Sequence, residues 1–377
     1  MGTSPDPITP GSSSAQVPLS PASAASFTQL QLAEALGLHQ STISLALRNS
    51  PRIPAKTRMK IKEAAEQMGY VSNAAAVILT HHKKASTPGR IHSAIAWVNT
   101  WGDHSGMYQY KEFAAYRRGA HATAEKFGYA LEEFDVDASP SSLPQLQRIL
   151  KARGIRGIVL PPSKQRLDLS SFDWSTFCTV RIGFSLAYPA AHIAAPDPMG
   201  NGRLGFEAIM KRGYRRIGWA TYYERVPVGS RVRDVHEAGF LLAQMDVPMK
   251  NRLPVFEYDR QSLKRWIERT RPDAIFSNIS NIVQLVRSAG HRVPEDIAVA
   301  GTTILDINVT AGIDQRSEEV GSAAIITLIS HMNAHHMGIP SFYIQSLIPG
   351  RWADGDTLPF KATANVCSSP QCWTPEE

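Results

Sequence analysis

Cysteine is scarce in this chain: three residues among 377, at Cys178, Cys367 and Cys372. An odd count without framework spacing excludes a disulfide-built scaffold and the clustered thiolates of a structural zinc site. Cys178 lies in an apolar stretch and reads as a reduced core residue. No apolar run is long enough to span a bilayer. The first 26 residues contain no Lys or Arg and no apolar core, so they are not read as a secretory signal, and a cytoplasmic protein is expected. There is no nucleophile elbow and no phosphate-binding Walker loop, so as an enzyme the chain is nearly silent. With 43% hydrophobic and 19% charged residues, it has the composition of an ordinary globular protein of two or three domains.

What is present is concentrated. The chain carries a formal charge of +7. Between Phe27 and Arg90 stand Arg48, Arg52, Lys56, Arg58, Lys60, Lys62, Lys83, Lys84 and Arg90, against only Glu34, Glu63 and Glu66. A basic module on a nearly neutral body is the footprint of a nucleic-acid binder. The same stretch has helical punctuation. Thr28-Gln29-Leu30-Gln31 is a capping box, opening a helix that carries Leu30, Leu32, Ala33 and Leu36. Gly37 can take the positive φ that ends it. A second helix is expected from about His39 to Leu47 with Ile43 and Leu47 inward, closed before Pro51. After Pro54 a third places Ile61, Ala64, Ala65 and Met68 on one face. Helix, tight turn, helix and supporting helix is the helix-turn-helix plan, whose second helix enters a DNA major groove.

The order of these motifs resembles the lactose repressor family of bacterial transcription regulators. LAEALGL, STIS, RIPAKTRMKI and GYVSNAAAVIL carry the likeness. Two departures are Ser72, where the family has proline, and Leu45, where its founding member has a base-reading arginine. The resemblance implies a DNA contact set of Thr28, His39, Gln40, Ser41, Thr42, Ser44, Leu45, Arg48, Lys56, Thr57, Asn73 and Leu79. Asn73 to Leu79 would be a hinge helix that folds on DNA, with Leu79 wedged into the minor groove.

Beyond Arg90 apolar strands alternate with amphipathic helices, as in parallel sheets covered on both faces. Strands are expected at 91–98, 129–134, 157–160, 177–184, 192–195, 216–220, 274–277, 297–300 and 341–348. Helices are expected at 110–127, 143–152, 202–212, 231–244, 281–289 and 320–334. This half resembles the family's regulatory domain, through Phe127-Gly128-Tyr129, Gly213-Tyr214-Arg215-Arg216-Ile217, Ala238-Gly239-Phe240 and Val293-Pro294-Glu295-Asp296-Ile297. The implied fold class is an N-terminal helix-turn-helix domain followed by two doubly wound α/β subdomains of the periplasmic sugar-binding type.

The expected domains are a disordered extension at 1–26, the DNA module at 27–72, a hinge and linker at 73–90, an effector and dimerisation domain at 91–360, and a tail at 361–377. Within the fourth, one subdomain would take 91–190 and 313–337, the other 191–312 and 338–360. Crossovers are expected near Pro189 to Ile193, Ala311 to Gln315 and Met337 to Pro340. A small-molecule effector, a sugar by resemblance, would meet Asn99, Trp101, Asp197, His236 and Asn278. The implied partners are duplex operator DNA and a second copy of the chain. A repressor is the leading expectation. An activator of the same architecture, a sugar sensor without DNA function and a nicotinamide-linked enzyme are the alternatives.

Two other patterns compete for attention. Gly200-Asn201-Gly202-Arg203-Leu204-Gly205 matches GxGxxG, with Glu224 near the position of a ribose-binding acid. The Asp197-Pro198-Met199 insert separates it from its strand, however, so helix–sheet packing is the better reading. His331 and His335 could share a helical face as a metal pair. Met332 stands where a metalloprotease needs Glu, and solvated histidines are the commoner outcome. No metal or cofactor is expected.

Overall fold

A computed structural model describes residues 29–47, 50, 52–68, 93–101, 106–137, 139, 141–163, 168–222, 232–258 and 262–361. The chain divides between residues 81 and 82 into two compact units.

In the first unit the helices are α1 (Gln29–Leu36), α2 (Gln40–Leu47) and α3 (Ala55–Gln67). Leu32, Ala33, Ile43, Ala46, Ile61 and Ala65 form its buried core. On α2 the inward residues are Ile43 and Ala46, while Leu47 packs only partly. Gly37 adopts φ 60°, and Leu38 N–H donates to the Ala33 carbonyl at 3.0 Å, so α1 ends in a left-handed turn as expected. His39 stands outside α2 rather than opening it. Its carbonyl accepts from Thr42 and Ile43, and its Nδ1 accepts from Ser41 N–H at 3.3 Å. The expected cap Thr28 and the hinge from Asn73 to Leu79 lie outside the described residues.

The second unit is two doubly wound lobes. The first lobe has strands β1 (Ser93–Asn99), β2 (Tyr129–Asp135), β3 (Gly157–Leu160), β4 (Cys178–Ile182), β5 (His192–Pro196) and β11 (Gln345–Ile348), ordered β11-β5-β4-β3-β1-β2. Helices α4 (Lys111–Lys126) and α10 (Ser317–Asn333) cover one face, and α5 (Ser142–Ala152) the other. The second lobe has β6 (Ile217–Thr221), β7 (Phe256–Glu257), β8 (Ala274–Ser277), β9 (Ala298–Gly301), β10 (Gly312–Asp314) and β12 (Arg351–Ala353), ordered β12-β10-β9-β8-β6-β7. There α6 (Pro198–Lys211) and α7 (Val232–Gln244) share a face, with α8 (Leu263–Thr270) and α9 (Ile282–Ser288) opposite. Among the described strands, β12 alone runs antiparallel to its neighbour. Trp97, Trp219 and Trp266 are the largest fully buried side chains.

The first and third crossovers fall later than expected, while the second overlaps the expected Ala311 to Gln315. Strands β5 and β11 both belong to the first sheet, so the chain crosses at Pro196–Pro198, Asp314–Ser317 and Ile348–Arg351. Asp197 N–H donates to the Ile348 carbonyl at 2.9 Å, Gly350 N–H to Asn201 Oδ1 at 2.9 Å, and Arg351 Nε to Asp314 Oδ2 at 2.9 Å. The three crossings thus lie side by side. A short strand shows its apolar pattern in the sequence but not which sheet receives it.

Three further differences have local causes. Helix α6 starts four residues before the expected Gly202, because Asp197 caps it, accepting from Gly200 N–H at 2.9 Å, and Pro198 fits its first turn. The short strands β7, β10 and β12 have too few periods to be read from pattern. Helix α8, as long as α1 and α2, buries Leu263, Trp266 and Ile267 behind a Ser262 cap and is absent from the expected elements. Helix α10 stops at Asn333, so His331 and His335 do not share a helical face.

The GxGxxG glycines serve packing. A Cβ at Gly202 would overlap the His236 carbonyl of α7, and one at Gly205 the Phe276 ring of the sheet. This places α6 where a dinucleotide-binding turn would need open space.

Candidate functional site

On the DNA-reading candidate α2, Gln40 and Ser41 occupy the exposed first turn, while Thr42, Ser44 and Leu45 are half-buried. That is the part of a recognition helix that meets base edges. His39 also bonds Ser41 Oγ at 2.8 Å, so its ring organises the turn before α2. Lys56 is exposed at the start of α3, and Thr57 half-buried. Arg58, one of the basic residues, is spent internally: Nη1 donates to the Ser50 and Ile53 carbonyls at 3.0 and 2.7 Å, fixing the loop before α3. Arg48 lies outside the described residues.

Doubly wound sheets hold ligands beyond the carboxyl ends of their strands, and in the second unit Asn99, Asp197 and Asn278 stand at the ends of β1, β5 and β8. The five expected contacts do not act alike there. Asn99 at the end of β1 is fully buried, donating through Nδ2 to Asp135 Oδ1 at 2.8 Å and accepting from Trp101 N–H at 3.0 Å. Its amide is committed within the first lobe, where it orients Trp101. Trp101 Nε1 donates to the Pro162 carbonyl at 2.8 Å. Its ring meets Tyr110 and Phe113 edge-on at 5.5 and 5.8 Å, which makes an aromatic wall. Asp197 is the α6 cap at the first crossing, so its Oδ1 is taken by the Gly200 N–H. His236 is buried on α7, with its carbonyl against Gly202.

Asn278 differs from these four. It follows β8, and neither its Nδ2 nor its Oδ1 has a hydrogen-bond partner among the described residues, although both atoms are shielded from solvent. Leaving such groups unpaired costs roughly 1–3 kcal/mol each. Around it, Ser277 Oγ donates to the Ala220 carbonyl at 2.8 Å and accepts from Ile279 N–H at 3.0 Å, which fixes the turn presenting Asn278. Tyr222, at the end of β6, reaches Ser280 Oγ and Asn281 Oδ1 at 3.5 Å.

Sequence reasoning missed the direct contact between the lobes. Asp306, in the loop after β9, accepts from Lys111 N–H at 2.7 Å and Glu112 N–H at 3.2 Å, capping α4 from the opposite lobe. Beside it, burial pushes the Glu112 carboxyl up to about 7, with Asp306 and Asp314 adding to the rise and Thr303 opposing it. Asp306 sits in a polar loop, and nothing local in the sequence pairs it with a helix start about 195 residues earlier.

Comparison with known proteins adds the following. A family model described as a periplasmic binding protein-like domain matches residues 206–351. The helix-turn-helix-type transcriptional regulator DegA of Bacillus subtilis is 23% identical over 299 residues, covering 73% of this chain and 80% of its own. The regulator CelR of Thermobifida fusca is 23% identical over 291 residues, covering 72% and 81%. Among solved structures, a transcription regulator-like protein from Staphylococcus haemolyticus superimposes with a TM-score of 0.50 at 15% identity, covering 71% of this chain and 99% of that one. That likeness concerns the fold.

Proposed function

We infer that this chain is a transcription regulator of the lactose repressor type, which binds duplex DNA through α2 and answers to a small molecule held between its two lobes. The DNA half of the reading is carried by one observation: polar Gln40 and Ser41 project from the first turn of a helix seated on a packed three-helix core. The basic surplus around it supplies phosphate attraction. Operator binding as a homodimer, with repression as the sign, follows the family resemblance.

The effector half rests on Asn278. A buried amide able to donate and accept, just past the end of β8, suits a neutral polyol, and the Trp101, Tyr110 and Phe113 rings offer the aromatic face on which a carbohydrate packs. The committed hydrogen bonds of Asn99 and Asp197 make them framework for this site rather than ligand contacts.

Selection from a random duplex pool tests the first half. An enriched motif is expected, with affinity falling steeply as salt rises. Gln40→Ala should relax choice at one base position by about 1–3 kcal/mol. Lys56→Ala should weaken all duplexes alike, and Leu79→Ala should weaken the selected duplex without altering dimerisation. A pool with no enrichment sinks the DNA reading. For the second half, a thermal-shift panel of mono- and disaccharides should find a stabiliser that Asn278→Ala abolishes. A shift that survives in that variant removes Asn278 from the site.

A further inference from the structure

Helix α10 ends in the same kind of turn as α1, with different chemistry at its corners. His335 takes the left-handed position at φ 57°, and His336 N–H donates back to the His331 carbonyl at 3.0 Å. In α1 those roles fall to Gly37 and to Leu38 over Ala33. Such a turn folds the residue after the left-handed one over the last helical turn, and the two side chains that meet are ordinarily apolar. At the end of α10 both are imidazoles. Their Nδ1 atoms stand 3.2 Å apart, with ring centroids at 5.5 Å. His331 is half-buried and His336 exposed.

A third imidazole holds the first in place. His192, opening β5, stacks on His331 at 3.8 Å with 13° between planes. Its Nδ1 accepts from Ile344 N–H at 3.1 Å, so that nitrogen carries no proton. The i, i+4 pair suggested by the sequence, His331 with His335, is therefore not the pair that the fold makes.

We propose that His331 and His336 chelate a divalent transition cation, with Zn²⁺ as the reference ion, through their two Nδ1 atoms. Bonds of 2.0–2.1 Å at a tetrahedral angle put two ligand nitrogens about 3.3 Å apart, close to the spacing found here. Without metal, one ring must carry its proton on Nδ1 to bond the other. On binding, that proton leaves Nδ1 and Nε2 of the same ring takes one from solvent, so both imidazoles remain neutral. Among the described residues no group of three or more His, Cys, Asp or Glu is placed to hold a metal. Water thus completes the shell, and the site is open and exchangeable. His192 is a positioning residue that acts through its stacked ring. A bound ion would clip the turn that feeds the segment to Ile344 and the third crossing.

Zinc titration calorimetry on the metal-stripped full-length chain near neutral pH tests this independently of the regulator reading. One equivalent should bind, and His331→Ala or His336→Gln should weaken it by about tenfold or more. His121→Ala and the double variant His81→Ala/His82→Ala should bind as the parent does. His336 is exposed, so His336→Gln should melt as the parent does and separate ligand loss from misfolding. No binding, binding unchanged in both site variants, or loss confined to the His81/His82 variant would overturn the proposal.

Discussion

The two lobes share one strand order and one way of packing helices, but they assemble it from differently distributed chain. In the first lobe α4 and α10 approach so closely that a Cβ at Gly119 would overlap the Glu318 carbonyl, and one at Gly321 the Tyr116 carbonyl. In the second, Gly202 of α6 meets the His236 carbonyl, and Gly239 of α7 meets that of Met199. Both pairs lie over one face of a parallel sheet and bury its apolar residues. The α6/α7 pair is separated by a single strand, whereas α10 reaches α4 only after the second lobe has been threaded as far as β10. The first lobe therefore cannot bury Ile95, Trp97 and Val180 until a helix from beyond the second crossing arrives. Its core is the one with the larger loop-closure cost.

The comparison can be broken most forcefully at the glycines. Gly321→Val should cost about 3 kcal/mol or more, since the overlap is with backbone that cannot rotate away. Gly202→Val should cost a similar amount in the second lobe, read from urea midpoints. If one lobe tolerates its valine, the two helix pairs are not equivalent. Next comes Glu112, at the contact between lobes, whose carboxyl burial raises from 4.5 to about 7. Across that interval it is protonated in the native state and ionised in the unfolded one. Stability should therefore fall as pH rises from about 4.5 to about 7, by at most roughly 3 kcal/mol, and the loss should stay constant above that range. Glu112→Gln should flatten this part of the stability profile. Asp306→Ala removes the cap that the second lobe lends to α4 and should cost about 1 kcal/mol in chemical denaturation. A loss many times larger would mean that the lobes are held together mainly at this point. Smallest of all, Arg203→Ala breaks an exposed pair with Glu207 on α6 and should shift stability by less than about 0.5 kcal/mol.

Legibility followed periodicity and capping chemistry. The three helices of the first unit and strands such as Gly157–Leu160 and Ala274–Ser277 stand where apolar spacing and turn residues put them. Strand β7, with two residues, and β12, with three, fall below the length at which a pattern exists. The candidate site was legible in outline and not in its detail. Asn99, Trp101, Asp197, His236 and Asn278 could each be named as polar or aromatic residues at element ends. That Asn99 is committed to Asp135, while Asn278 finds no partner among the described residues, depends on neighbours distant in sequence.

By itself the sequence determined the local structure: where helices begin, where glycine turns the chain, which strands are buried on both faces, and that positive charge gathers at one end. These follow from interactions within a few residues, which any conformation of the chain contains. Only the tertiary structure decided which sheet receives β5 and β11, where the three crossings lie, and that Asp306 caps a helix of the other lobe. It also decided that His331 meets His336 and His192 rather than His335. Those pairings come from closing long loops around two cores, and their free energy belongs to contacts that exist only once the loops have closed.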